Sequence, residues 1–210
     1  MTILSVNKTR EFDGRNALIF YLGAVSQTAP IFYIQETFPM KQHAKKLAHA
    51  AIIAALYAVL THFQNILLPG SATWAIQMRL SEALCILAFF TPAAPLGLAI
   101  GCLIFNLTFA AALPLDFLMG TLATYFAAKV MWLTRTVTVK GWPLLGLMMP
   151  ALFNAILVGA ELAIYIGGGF WLNALYVAIG ELIVLLIPGT VLYYAMKSRK
   201  LDILLFHTNQ

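Results

Sequence analysis

The segment ALFNAILVGAELAIYIGGGFWLNALYVAIGELIVLLIPGTVLYYAM, residues 151–196, decides the fold class. It contains only two charged side chains, Glu161 and Glu181, and a run of three glycines at 167–169 divides it into two apolar stretches. Counted from residue 143, the first stretch has 24 residues, and the second, 170–196, has 27, so each has room for the roughly 20 apolar residues that a transmembrane helix needs. Because glycine runs favour turns, the segment predicts two membrane-spanning helices joined by a short loop.

The same composition extends through most of the chain. The 210 residues are 61% hydrophobic and 10% charged, against about a quarter charged in a soluble domain. The fold class predicted is therefore all-α integral membrane, a compact bundle of about six transmembrane helices. Proline and glycine breaks place these helices at about 47–68, 75–91, 94–112, 115–134, 143–166 and 171–196.

The first part of the chain has a different character. Residues 1–16 are polar, and the apolar stretch that follows is interrupted by Gln27, Thr28 and Pro30. Met40 then opens a basic tract that leads into a clean apolar helix. We predict that 1–39 is an N-terminal extension, either not native or poorly ordered, with an extra segment on or in the membrane as the alternative. We further predict one six-helix domain at 40–200 and a cytoplasmic tail at 201–210.

Basic residues predict the orientation in the membrane, since Lys and Arg are enriched in cytoplasmic loops. With six spans, the basic tracts fall on one side, and the loops at 69–74, 113–114 and 167–170 contain no Lys or Arg. We therefore predict a multi-pass protein of the cell membrane with both ends of the six-helix core in the cytoplasm. The basic residues that carry this prediction are Lys41, Lys45, Lys46, Arg135, Lys140, Lys197, Arg199 and Lys200.

Polar side chains inside the predicted helices converge on the outer half of the bundle. Charged groups in a membrane interior are costly, so each one indicates a cavity or a partner. Asn154 and Glu161 are seven residues apart and therefore share a helix face. For Arg79 and Glu82, the alternative to ligand contact is that the two charges neutralise each other. For Trp171, the alternative is a place in the interfacial aromatic belt. The predicted substrate-binding residues are Glu161, Glu181, Asn154, Asn173, Arg79, Glu82, Asn106, Asp116, Gln77 and Trp171.

The polar set favours a transport subunit over an enzyme or a scaffold. Buried carboxylates and amides suit a small polar ligand with several N–H donors, for example a cationic aromatic compound. The four histidines are scattered, and Cys85 and Cys102 lie in apolar runs without companion ligands, so we predict no catalytic residue, no metal site and no cofactor. A phosphate-binding loop of the G-x-x-x-x-G-K-[ST] type is absent, and ATP would be hydrolysed by partner subunits.

Small residues at four-residue spacing line the first predicted helix, and such a stripe lets another helix approach closely. Contact with a separate subunit and packing within the bundle are both open for this stripe. For the Gly97 and Gly101 pair on the third predicted helix, packing within the bundle is favoured. The predicted partner-helix interface consists of Ala50, Ala54, Ala58, Ala51 and Ala55.

Four stretches of the chain resemble the QueT family. They are IQMRLSEALCILAFFTPAAPLGLAIGCLIFN (76–106), LDFLMGTLAT (115–124), FNAILVGAEL (153–162) and FWLNALYVAIGELIV (170–184). The members of this family are membrane-embedded, substrate-binding S components of energy-coupling factor (ECF) transporters. The resemblance covers about 47–196 and does not extend to 1–39.

The resemblance implies a six-helix S component that binds a 7-deazaguanine precursor of queuosine from the outer side. It also implies a partner module of one coupling transmembrane protein and two cytoplasmic ATPases, contacted through the alanine-rich first helix. N–H and amino donors of the ligand would pair with Glu161 or Glu181, and Asn154 and Asn173 would serve its mixed donor and acceptor edges. An S component for another vitamin or nucleobase, or a stand-alone small-solute carrier, is the alternative.

Overall fold

The structure is a computed structural model, and it describes residues 39–71, 78–110, 112–139 and 141–206. Residues Met40–Gln210 form a unit of their own. Apart from Pro39, the predicted N-terminal extension lies outside the described residues. The predicted site residue Gln77 and the basic residue Lys140 also lie outside them.

The described part of the chain is helical and contains no β-strand. Three helical stretches are long and apolar enough to cross a membrane, namely Gln42–Leu67, Leu144–Tyr165 and Phe170–Ser198, and shorter apolar helices accompany them. The predicted class, an all-α membrane bundle of about six helices, is confirmed. In chain order the elements are α1 (Pro39–Leu67), a 3-10 helix (Leu80–Phe89), α2 (Ala94–Thr108), α3 (Asp116–Leu133), α4 (Leu144–Leu147), α5 (Met149–Tyr165), α6 (Phe170–Val184), a π-helical turn (Leu185–Gly189), α7 (Thr190–Ser198) and α8 (Leu201–Phe206).

The glycine run between α5 and α6 forms the turn predicted from the sequence. Gly167, Gly168 and Gly169 have φ angles of 89°, 79° and 81°, a backbone region that residues with a Cβ atom rarely adopt. Pro188, in contrast, does not end the last span. The chain passes it through the π-helical turn, which accommodates a proline by widening the helix locally. Helix α6, the π-helical turn and α7 therefore form one continuous helical stretch.

The second predicted helix is the element that differs most from its expected form. It is a ten-residue 3-10 helix, which at about 2.0 Å per residue spans only about 20 Å. Eight of its ten residues are buried. The apolar core also gathers around it, with Ile86 and Phe90 packed together with Leu98, Met131 and Leu185 of other elements. This short helix is therefore an internal element of the bundle.

Helices α1 and α2 approach each other closely because glycine faces alanine. A Cβ atom on Gly97 would lie 2.6 Å from the carbonyl oxygen of Ala50, and one on Gly101 would lie 2.7 Å from that of Ala54. Any side chain at either glycine would push the two backbones apart. The G-x-x-x-G pair of α2 thus packs within the bundle, against the small residues of α1.

The alanine stripe of α1 consequently divides into two sides. Ala50, Ala54 and Ala58 are buried inside the chain's own bundle. Ala51 and Ala55 are exposed. Packing within the bundle is thus what the structure shows for the first three residues, and contact with a separate subunit stays a prediction for the exposed side.

The segment that follows the last span is helical through Phe206. Lys200 turns the chain with a φ of 51°, and α8 then begins at Leu201. The ring of Phe206 contacts the ring of His49 edge-on, with centroids 5.2 Å apart. Leu201 and Phe206, at the two ends of α8, therefore pack against the bundle.

Candidate ligand-binding site

Most of the predicted polar residues are buried inside the bundle. Eight of the nine that the structure describes are at most 6% exposed, namely Arg79, Glu82, Asn106, Asp116, Asn154, Glu161, Asn173 and Glu181. The ninth, Trp171, is 83% exposed. The buried residues come from the 3-10 helix and its preceding residue, and from α2, α3, α5 and α6.

Asp116, the first residue of α3, joins three elements. Its Oδ1 atom lies 3.8 Å from Nη2 of Arg79, which directly precedes the 3-10 helix. Its Oδ2 atom accepts a hydrogen bond of 2.9 Å from the backbone N–H of Leu113. Asn106 of α2 donates from Nδ2 to the backbone carbonyl of Asp116 at 2.7 Å. The start of α3 is therefore tied to both α2 and the 3-10 helix.

Gly120 makes room for this arrangement, and sequence reasoning did not identify it. It lies one turn after Asp116 on α3 and is buried. A Cβ atom at this position would lie 2.9 Å from Nδ2 of Asn106 and 3.5 Å from Nη1 of Arg79. Because Gly120 has no side chain, the guanidinium of Arg79 and the amide of Asn106 can lie directly against α3. A lone glycine inside an apolar helix was the available sequence signal, since such a glycine has a packing or functional reason.

Glu82 accepts hydrogen bonds from three directions. Tyr57 of α1 donates its hydroxyl to Oε1, and Cys85, one 3-10 turn further on, donates its thiol to Oε2 at 3.0 Å. Thr124 of α3 donates to Oε1 at 3.5 Å, a longer contact. Sequence reasoning missed Tyr57, whose fully buried hydroxyl requires a partner.

Asn154 of α5 and Glu181 of α6 face each other across a close helix contact. A Cβ atom on Gly159 would lie 2.8 Å from the Cα atom of Ala174, so these two helices touch backbone to backbone. Nδ2 of Asn154 donates to Oε1 of Glu181 at 3.0 Å, whereas Oε2 of Glu181 has no hydrogen-bond partner. Glu181 also lies within electrostatic range of Glu82.

Glu161 lies near the Asp116 carboxyl and the Leu115 backbone, yet it makes no hydrogen bond of ordinary geometry. Its side chain is fully buried, and neither of its carboxylate oxygens has a hydrogen-bond partner. Asp116 and Arg79 are its electrostatic neighbours. Leu113 packs against the cluster of Val158, Leu162 and Val177, which brings the turn that precedes Asp116 close to the part of α5 that contains Glu161.

Asn173 and Trp171 have other surroundings. Asn173 donates from Nδ2 to the carbonyls of Gly167 and Gly169 at 2.7 and 3.0 Å, so its amide closes the glycine turn. Trp171 lies on the surface, with its ring against that of Phe170. This position matches the interfacial aromatic alternative that the sequence left open.

A model of the QueT transporter family matches residues 47–198, which include every member of the buried cluster. The chain belongs to the QueT transporter family. It is thus a multi-pass membrane transport protein and not an enzyme. Comparisons with curated proteins and with solved structures gave no match.

The cluster of this QueT transporter is rich in negative charge. Arg79 is the one buried Lys or Arg among the residues that the structure describes, and the cluster around it contains four buried carboxylates, Glu82, Asp116, Glu161 and Glu181. Burying a charge without compensation is costly. Within the described residues, no group of three or more His, Cys, Asp or Glu side chains could hold a metal ion. The arrangement suits a ligand that brings N–H donors and positive charge.

Proposed function

We propose that this QueT transporter is the substrate-binding S component of an ECF importer in the cell membrane. It would capture a 7-deazaguanine precursor of queuosine from the outer side. The observation that carries the proposal is the excess of buried carboxylates over cations inside the bundle, with acceptor atoms of Glu161 and Glu181 left unpartnered.

A 7-deazaguanine fits this chemistry because its ring and amino N–H groups are donors. Oε2 of Glu181 and both oxygens of Glu161 are acceptors without partners. Oδ1 of Asn106 is a further unpartnered acceptor. A hydrogen bond to a charged group contributes about 1.5–3 kcal/mol, so three such bonds would support tight binding of a small molecule.

The energy for uptake would come from other subunits. The sequence contains no phosphate-binding loop of the P-loop type, so we propose a coupling transmembrane protein and two cytoplasmic ATPases as partners. The exposed side of α1, which carries Ala51 and Ala55, is the proposed contact with the coupling protein. Both ends of the six-helix core would lie in the cytoplasm.

Calorimetry on the purified protein in detergent tests the substrate. Queuine and its 7-deazaguanine precursors would be titrated, with riboflavin and guanine as controls for other S-component ligands. We expect saturable binding of a deazaguanine, weakened about 10- to 100-fold in Glu161→Gln. Lys129→Ala, which changes an exposed charge on α3, is the matched control and leaves the affinity unchanged.

Two outcomes would contradict the proposal. Equal losses in Glu161→Gln and Lys129→Ala would place the ligand away from the buried cluster. Absence of binding in a sample that elutes as a single folded species would remove the deazaguanine assignment, and binding of riboflavin or guanine instead would identify a different S-component ligand.

A further inference from the structure

The four carboxylates of the cluster differ in how many hydrogen bonds and ion pairs they receive from other groups of the protein. Glu82 receives hydrogen bonds from Tyr57, Cys85 and Thr124. Its oxygens are therefore supplied with donors from the protein. Such a carboxylate is a structural anchor and has little need of a ligand.

The other three carboxylates form a descending series. Asp116 accepts one hydrogen bond, from the Leu113 N–H, and pairs with Arg79 at 3.8 Å. Glu181 accepts one hydrogen bond, from Asn154. Glu161 accepts none of ordinary geometry, although the Asp116 carboxyl and the Leu115 backbone lie near it. Since all three are almost fully buried, Glu161 is the place where an external positive group stabilises the protein most.

The surroundings of Glu161 contain acceptors in excess. Oδ1 of Asp116 accepts no hydrogen bond, and its ion-pair distance of 3.8 Å is longer than the 2.7–2.9 Å of a charge-assisted hydrogen bond. Asn106 holds the same turn through its Nδ2, while its Oδ1 has no partner and its side chain is 6% exposed. The amide is an observation independent of the carboxylates, and it adds another acceptor at the same turn.

An acceptor-rich place of this kind selects one type of group. A protonated primary amine has three N–H donors, no acceptor and a positive charge. A ring N–H edge offers fewer donors and no charge, and it matches the Glu181–Asn154 pair, where one acceptor oxygen is open beside an amide.

We propose that Glu161 and Asp116 form a subsite for a protonated primary amine on the ligand, while Glu181 and Asn154 take the N–H edge of its ring. This inference rests on the proposed function. It divides the ligand into a cationic arm that faces α3 and α5 and a ring that faces α5 and α6.

Two ligands that differ only in the arm test the subsite. 7-Aminomethyl-7-deazaguanine carries the amine, and 7-cyano-7-deazaguanine presents the same ring without it. Calorimetry would compare both on the wild type, Glu161→Gln and Glu181→Gln. In Glu161→Gln we expect the aminomethyl compound to lose about 10- to 100-fold in affinity and the cyano compound less than about three-fold. Glu181→Gln is the matched control and weakens both compounds alike.

Equal losses of the two compounds in Glu161→Gln would overturn the subsite and leave the proposed function standing. Should Glu161→Gln fail to fold, Glu161→Asp keeps the charge and shortens its reach. We expect it to weaken the aminomethyl compound selectively, and a non-selective loss overturns the proposal.

A second probe separates the subsite from the deazaguanine assignment. Benzylammonium should raise the thermal unfolding midpoint of the wild type more than benzyl alcohol does, and this difference should vanish in Glu161→Gln. If no deazaguanine binds and the benzylammonium effect is present, the substrate assignment fails and the subsite is supported. If the effect is absent as well, the subsite is overturned too.

Discussion

Both sides of the buried cluster are shielded from solvent, but they differ in whether their polar side chains have hydrogen-bond partners within the protein. On the α1 side, polar side chains bond to one another: Tyr57 donates to Glu82, and the hydroxyls of Thr61 and Ser81 share a hydrogen bond of 2.7 Å. On the α5–α6 side, Glu161 and Glu181 keep oxygens without hydrogen-bond partners. A polar group that the protein has satisfied stabilises the fold, whereas one left unsatisfied costs stability unless a ligand completes it. The α1 side of the cluster therefore stabilises the fold, and the α5–α6 side is the one suited to bind a ligand.

The α1 side has a structural task because a 3-10 helix needs external support. Its hydrogen-bond geometry is poorer than that of an α-helix, and runs beyond three or four residues are uncommon. Gln64 of α1 accepts from the N–H of Leu80 at 2.7 Å and donates to Ser71 at 2.8 Å. Its amide also donates to the carbonyl of Met78. Side chains of α1 thus hold the entry to the 3-10 helix in place.

The largest effect is expected where both sides meet, at Arg79. Arg79→Leu should lower the free energy of unfolding by about 3–5 kcal/mol, because the buried carboxylates lose their cation. Denaturant unfolding in detergent measures this loss. Lys129→Leu, an exposed cation on α3, is the control and should change stability by less than about 0.5 kcal/mol. A near-neutral Arg79→Leu would mean that the carboxylates do not depend on this charge.

A smaller effect should distinguish the α1 side from the binding side. Tyr57→Phe should lower the free energy of unfolding by about 1.5–3 kcal/mol, because Glu82 loses a donor. The affinity for the ligand should change less than about three-fold. Unfolding curves and calorimetry on the same preparation measure the two quantities. Tyr165→Phe is the control for loss of a hydroxyl, since Tyr165 lies at the end of α5 and is 43% exposed. If Tyr57→Phe weakened ligand binding as much as Glu161→Gln does, the two sides would form one binding site.

The smallest effect on ligand affinity is expected for Trp171, which lies on the surface at the start of α6. Trp171→Ala should change the ligand affinity less than about two-fold, because the side chain is 83% exposed and lies outside the buried cluster. Calorimetry with the deazaguanine measures it beside Glu181→Gln. A loss above about ten-fold would show that the start of α6 folds over the ligand.

Sequence reasoning reached the charged members of the cluster because a carboxylate in an apolar stretch is conspicuous. Glu161 and Glu181 are such residues, and both are buried among polar neighbours. It missed Tyr57 and Gly120 because a tyrosine or a glycine on a helix face is common. Their roles depend on what lies opposite: Glu82 for the hydroxyl, and Asn106 with Arg79 for the missing Cβ.

The sequence by itself determined the membrane as solvent, the all-α class with about six helices, the glycine turn at 167–169 and the family. Each of these follows from composition, from breaks or from motifs along the chain. Only the tertiary structure decided which side of the alanine stripe is covered, since Ala50 and Ala54 are buried by the glycines of α2. It also decided that Glu82 has its donors and Glu161 has none. The physical reason is that hydrogen-bond satisfaction is a property of neighbours across helices, which spacing along one helix does not determine.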